Sequence, residues 1–500
     1  MKYLRSNAIV VGAWLLAHLL GVSASAEESP WPTIFRGHAE VNVINVEVVV
    51  TDADGRPVSG LGRDDFELFE NGKPVEISNF YAVSGGRIVP PAIAGTTEPS
   101  AASEPAPAAE RGPLYMILYV DNTNIRASNR NRLFRHLREF LVPNWRPDMQ
   151  VMLVTNDRSL VVHQDFTPFP NEILTALTEL AESAPVNPRF DLERRQLIRA
   201  IEDINVEAGS GLFATKDPTQ GLRGFSEDEG EGEDQEALTR RIVAMARPIL
   251  TQIRAYSEQR LLHVRETIRI LKQLVEMASV PEGQKTVVYI SDGLPLQPGV
   301  ALMEAYARRF AALQDIGANL SPDFEASRDD ATREFHDLVT HANTNKVTFY
   351  TLDAAPPDAL SRGSAASTGS AGGNFASWND GLAAAEQRDR QETLIMMAEG
   401  TGGLQALSTS TLEATLEGIF TDFNNHYSLG YVAERTDDAE DRTIAVKVRR
   451  EGLRVRHRNS FRDKTAGQRA VEQPPGVVVP SFMECFDDTP EGPDASDGDG

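Results

Sequence analysis

The segment 114–120 (LYMILYV) is continuously apolar and stops at Asp121. A strand wetted on one side alternates apolar with polar residues, so an unbroken run requires a strand covered on both faces. A second such run, 285–290 (KTVVYI), stops at Ser291-Asp292-Gly293. Segments with apolar residues at helical spacing surround them: 129–141, with Leu133, Phe134, Leu137 and Phe140 in one stripe, then 171–182, 191–203 and 235–278. Strands are also expected at 149–155, 160–166 and 346–352, and helices at 303–313, 328–342, 387–399 and 411–423. This alternation predicts an α/β domain over 113–425, a Rossmann-like, doubly wound, mostly parallel sheet flanked by helices. A Ser-, Gly- and Ala-rich stretch, 361–377, predicts a mobile loop inside it.

The flanks follow a different pattern. The segment 41–51 (VNVINVEVVVT) is rich in β-branched residues and is followed by Asp54-Gly55. In 65–83, Phe66 and Leu68 precede an Asn71-Gly72 turn, and Val75 and Ile77 follow it. Two hairpins are expected, making a small β module over 38–83. The Pro-, Ala- and Ser-rich stretch 84–112 predicts a linker. Three closing strands are expected at 426–433, 442–450 and 453–461, within a C-terminal β segment over 426–462. In the second, Ile444, Val446 and Val448 alternate with Ala445, Lys447 and Arg449. Three strands alone are marginal. They are therefore expected to pack on the N-terminal hairpins, with the α/β domain inserted into one β module built from both ends.

Lys2 and Arg5, the apolar run 8–22 and Ala24-Ser25-Ala26 have the order of a secretory signal peptide, with cleavage expected after Ala26 (signal 1–26). The run falls short of the roughly 20 residues that span a bilayer. No comparable run follows, so a periplasmic or secreted protein without a membrane span is expected. Cys485 is the only cysteine, which excludes an internal disulfide and a lipid-bearing cysteine beside the cleavage site. The net charge of −24 disfavours nonspecific binding to nucleic acid or anionic lipid. Part of that charge lies in 227–236 (EDEGEGEDQE), inside an insertion at 206–236, and in the tail 463–500; both are expected to be disordered.

Four pieces occur in a telling order: the stretch 50–80 (VTDADGRPVSGLGRDDFELFENGKPVEISNF), Asp121-Asn122-Thr123, Ser291-Asp292-Gly293, and Tyr427-Ser428-Leu429-Gly430-Tyr431. Together they resemble the von Willebrand factor A-related family first catalogued in Acidobacteria, over most of the chain apart from the acidic insertion and tail. The resemblance implies a von Willebrand factor A-like fold. From the broader A-domain class it also implies a metal-ion-dependent adhesion site at the C-terminal edge of the sheet. In such a site, hydroxyls and one or two carboxylates hold a hard dication and leave a position open for a partner's carboxylate. The residues it implies are Asp121, Thr123 and Asp292, the ion Mg²⁺, or else Mn²⁺ or Ca²⁺, and the partner a protein. The pattern Asp-x-Ser-x-Ser is incomplete here. Thr123 can serve as the first hydroxyl, but Ile125 stands at the second, Asn124 is out of register, and 183–191 offers no clear separate threonine. A degenerate, metal-free site stays open beside the metal site, with Asp121 capping the following turn and Asp292 a helix start.

Enzyme signatures are weak. His336 and His341 are five residues apart without a His-Glu-x-x-His pattern. Gly283-Gln284-Lys285-Thr286 ends like a phosphate loop but lacks the earlier glycine and precedes a strand. Gly209 and Gly211 lack the third glycine of a dinucleotide fingerprint, and no Gly-x-Ser-x-Gly elbow follows the signal segment. Two classes remain: a non-catalytic protein-binding or adhesion module presenting the strand-end face, and an enzyme or enzyme subunit with its chemistry on the insertion 206–236.

Overall fold

The structure, a computed structural model, describes residues 43–89, 113–184, 190–204, 231–279, 283–311, 330–355, 373–433 and 440–462. The expected signal segment, most of the acidic insertion and the acidic tail lie outside these residues. The first strand, β1 (Val43–Thr51), does not form the expected hairpin. The Asp52 carboxylate accepts N–H bonds from Asp54 and Arg56, both 2.9 Å, and the return is limited to a single bridge of Thr51 to Pro57, flanked by the Val58 N–H donating to Val50 O at 2.9 Å. Pro57 has no N–H with which to extend a ladder, so both edges of β1 stay open for other strands. The Asn71-Gly72 hairpin does form, between β2 (Phe66–Glu70) and β3 (Lys73–Val75), with φ of 49° and 76° at its two turn residues. Ile77 belongs instead to β4 (Ile77–Ser84), which joins another sheet. The expected linker starts too early. Gly85 and Gly86, at φ of 56° and 79°, turn the chain into β5 (Arg87–Val89), which pairs back onto β4.

The α/β domain follows the expected alternation. Its strands are β6 (Leu114–Val120), β7 (Met149–Asn156), β8 (Leu160–Thr167), β9 (Gln284–Ser291), β10 (Val347–Asp353) and β11 (Gln405–Ala406). They form one sheet in the order β11-β10-β9-β6-β7-β8, parallel except for β8. Its helices are α1 (Ala127–Asn144), α2 (Pro170–Glu182), α3 (Phe190–Asp203), α4 (Glu231–Ser279), α5 (Val300–Arg309), α6 (Thr332–Thr344), α7 (Gly373–Thr401) and α8 (Thr409–Asn424). On one face Met116, Leu118 and Val120 of β6 pack with Leu133 and Leu137 of α1, Leu177 of α2 and Leu416 of α8. On the other face Ile117 and Tyr119 pack with Val264 and Leu271 of α4, Leu338 of α6 and Met397 of α7. Alternate residues of one unbroken apolar run thus serve two cores, as the sequence requires.

Two loop expectations are corrected by helices. Residues 231–236 of the acidic run begin α4, and 373–377 of the Ser/Gly/Ala stretch begin α7. At 49 residues, α4 is about 70 Å long. Its C-terminal half covers the sheet and ends just before β9 begins, so its N-terminal half projects past the carboxyl ends of the strands. There Ile242, Ala246 and Ile253 join Ile201 of α3 and Leu302, Tyr306 and nearby Phe310 of the α5 segment in a separate helical core.

The closing strands complete the N-terminal module, as expected. β12 (His426–Val432) inserts between β1 and β4, antiparallel to both. β13 (Asp441–Val448) pairs with β2. The expected third strand is split: β14 (Arg454–His457) pairs with β1, and β15 (Ser460–Arg462) crosses to pair with β13 in the other sheet. The two sheets enclose Val46, Val48, Phe66, Leu68, Leu429 and Val446. Asp422, at the end of α8, ties this module to the α/β domain. It accepts bonds from Arg456 of β14 at 2.6 and 2.8 Å and from the Tyr350 hydroxyl of β10 at 2.8 Å. Among the described residues no helix is long and apolar enough to cross a membrane.

Candidate functional site

The chain leaves β6 toward β7 on one side and later fills the other side with β9. The strand order reverses there, which is where open α/β sheets form a crevice at their carboxyl edge. Asp121 follows β6, Asp292 follows β9, and Asp353 ends β10. The sequence expectation that Asp121 and Asp292 share one rim is met by adjacent, in-register strands, with the Asp121 N–H donating to Ile290 O at 2.9 Å.

Asp121 is fully buried and accepts four bonds. Thr123 Oγ1 donates at 2.7 Å and Asn156 Nδ2 at 3.2 Å to Oδ1; Asn124 Nδ2 and the Tyr289 hydroxyl each donate at 2.9 Å to Oδ2. Asn156 cannot be turned over, because its Oδ1 accepts the Arg158 N–H at 3.0 Å. Thr123 Oγ1 also accepts from both amides, at 3.0 and 3.2 Å, so its hydrogen-bonding capacity is filled as well. Burial pushes the Asp121 carboxyl above its usual value, opposed by these donors and by the Arg260 charge.

Asp292 is joined to this knot through Asn124. The Asn124 carbonyl accepts the Asp292 N–H at 3.0 Å and the Ser291 hydroxyl at 3.4 Å. The Asp292 carboxylate turns the other way. It accepts from Asn129 Nδ2 at 2.9 and 3.0 Å and from the Arg126 N–H at 3.1 Å. Arg126 is the N-cap residue of α1, whose first turn has no acidic residue, so Asp292 caps that helix from across the sheet. The helix that follows Asp292 in sequence, α5, starts instead at Gly299 in a left-handed conformation. Burial pushes the Asp292 carboxyl up to about 6, against its hydrogen bonds and with help from Asp353.

Asp121, Thr123 and Asp292 are therefore neighbours, but they do not converge. An octahedral dication needs oxygens with free lone pairs pointing at one centre. Both Asp121 oxygens are occupied by protein donors, the Thr123 hydroxyl is filled, and Asp292 faces the α1 N-terminus. The donor set present does not fit Mg²⁺, Mn²⁺ or Ca²⁺. Residues 185–189, within the stretch where the separate threonine was expected, lie outside the described residues.

The residues that sequence reasoning missed come from α3 and α4. Where α4 passes the rim, His263 Nε2 lies 3.2 Å from Asn124 Oδ1. Burial, aided by the Arg260 and Arg158 charges, pushes this histidine down to about 3, so it is a neutral donor at Nε2. Asp191 of α3 pairs with Arg126 at 2.7 Å. Burial raises Asp191, yet Arg126, with Arg390 and Arg260, holds it below its usual value. Beside this rim a cleft of about 690 Å³ runs between α3, α4, α5 and α7, lined by Phe190, Asp191, Arg260, Gln297, Asp389 and Arg390 among others. Arg260 and His263 lie on a long amphipathic pattern that reads only as a helix. Tyr289 reads only as one member of an apolar strand.

No protein-family model matches the chain, and no curated protein is significantly similar to it.

Proposed function

We propose that this chain is an exported, von Willebrand factor A-like module that binds a protein partner, without catalysis, at the carboxyl rim of its six-stranded sheet. The observation that carries this reading is the linkage of Asp121 and Asp292, far apart in sequence, through Asn124 at the switch point, with a cleft opening beside them. A rim whose polar atoms are locked by one another is preorganised for recognition. It is poorly suited to general-base chemistry, which needs an accessible lone pair on Asp121. The N-terminal charge and apolar pattern supports export. Docking on this reading uses protein groups and not a bridging dication, since the carboxylates are already occupied.

The test is capture from the envelope fraction of an exporting cell on the full chain, followed by binding of the purified captured protein. Gln297 lies exposed at the cleft and Lys73 lies exposed on the β module. Gln297→Trp is expected to weaken that binding at least tenfold while Lys73→Trp leaves it unchanged. Equal binding by Gln297→Trp, or loss with Lys73→Trp alone, rejects the rim as the docking face.

A further inference from the structure

We propose that the cleft beside the rim is a carboxylate-binding site with Arg260 as its receptor. This deepens the docking reading by assigning the chemistry of the group the partner inserts, and it rests on that reading for the partner being a protein.

Arg260 lies on α4 where the helix passes the strand ends, and only 8% of it is exposed. Its guanidinium carbon stands 4.7 Å from the centre of the Phe190 ring, and Nη1 has no hydrogen-bond partner among the described residues. A guanidinium carries five N–H donors and stays ionised under all ordinary conditions. Burying it with a donor unmet is costly, so such a group calls for an acceptor that the described residues do not supply.

Four carboxylates of the rim and cleft are engaged elsewhere, Asp389 by the Gln297 N–H at 3.0 Å, while Glu392 also lines the cleft. Asp121 is filled by its four donors, Asp191 is paired with Arg126, and Glu386 is paired with Arg194 at 2.5 Å. Asp121 and Asp191 act on Arg260 as charges at a distance and leave its Nη1 unmet. Arg390 lines the same cleft, and its charge repels that of Arg260. A carboxylate entering between them would meet two cations and relieve that repulsion. A planar guanidinium presents two parallel N–H groups that match the two oxygens of a carboxylate. The cleft is large enough for the side chain that bears it.

The experiment is calorimetric titration of the full chain with three probes. N-acetyl-aspartic acid amide carries only a side-chain carboxylate, N-acetyl-alanine only a terminal one, and inorganic phosphate is a different anion. At least one carboxylate probe is expected to bind, and whichever binds more tightly identifies the source as side chain or terminus. Arg260→Met is expected to weaken that probe at least tenfold while leaving the thermal midpoint unchanged or higher, because an unmet buried charge is removed. A purely structural arginine would lower the midpoint instead. Should Arg260→Met fail to fold, Arg390→Met is expected to weaken the same probe. No carboxylate binding to the natural chain, equal binding by Arg260→Met, or tighter binding of phosphate than of both carboxylates overturns the assignment. Probe binding that depends on Arg260, without any captured protein, upholds the site and removes only the protein-partner reading.

Discussion

The Tyr289 hydroxyl donates a 2.9 Å hydrogen bond to Asp121 Oδ2 across the β6–β9 strand pair. It fills the last position on a carboxylate already held by Thr123, Asn124 and Asn156. The bond joins the first strand of the sheet to the strand on the far side of the switch point. The rim is thus built as one polar unit.

Asp121→Ala should strip four donors of their acceptor at once. A buried donor left unmet costs about 1–3 kcal/mol, so the variant is expected to lose about 3 kcal/mol or more of stability, read as a fall in the urea midpoint. Calorimetric titration with Mg²⁺ or Mn²⁺ should give equally flat traces for the natural chain and for this variant. A binding isotherm present in the natural chain and absent in Asp121→Ala would restore the adhesion-site ion.

The raised Asp292 carboxyl fixes the sign of a pH effect. The unfolded chain releases this proton near 3.8, whereas the folded chain holds it to about 6. Between those values the native state binds more protons, so this group's contribution falls as pH rises and levels off above about 6. The difference in urea stability between the natural chain and Asp292→Asn should change by up to about 1.4 kcal/mol per pH unit in that window and be flat from pH 7 to 8. A carboxyl carbon resonance of Asp292 titrating near 4 would contradict it.

Asp422 is one of several ties between the two modules, beside the bonds from Arg458 to Asn343 and from Arg462 to Asp337. The Asp422 side chain is only 3% exposed and takes both the Arg456 fork and the Tyr350 hydroxyl. Asp422→Ala leaves the half-buried Arg456 with only the Gly402 carbonyl and the buried Tyr350 hydroxyl without its acceptor, a loss of about 2 kcal/mol or more. Thermal unfolding followed in the β module and in the α/β domain should shift down together. A shift in the α/β signal alone would mean that the modules unfold independently.

A chain ending at Asn425 should fail to hold its N-terminal strands. β1 would lose β12 and β14, its partners on both edges, and β2 would lose β13. Limited proteolysis should then cut within residues 43–84 while the six-stranded sheet resists. Protection of residues 43–84 in that shortened chain would defeat the insertion arrangement.

The unbroken runs ending in Asp121 and Asp292 made the sheet and its rim legible, because a strand buried on both faces leaves no other pattern. The joined β module was legible from the marginal size of three isolated strands. β5 was not: Arg87, Ile88 and Val89 are all exposed, so burial imprints no alternation on them, and Gly85-Gly86 read as linker. The state of Asp121 was hidden for a different reason. Its donors come from β7, from β9 and from the turn beyond β6, and only the parallel register brings them together. Arg260 was hidden in a helix whose pattern shows which residues face inward but not what they meet there.

The most direct measurement places a photo-reactive residue at Gln297, beside the rim, or at Lys73, on the β module, and irradiates each full chain with the captured partner. Docking at the rim should give a covalent adduct from position 297 and none from position 73. An adduct from position 73 alone, or equal yields from both, would contradict it.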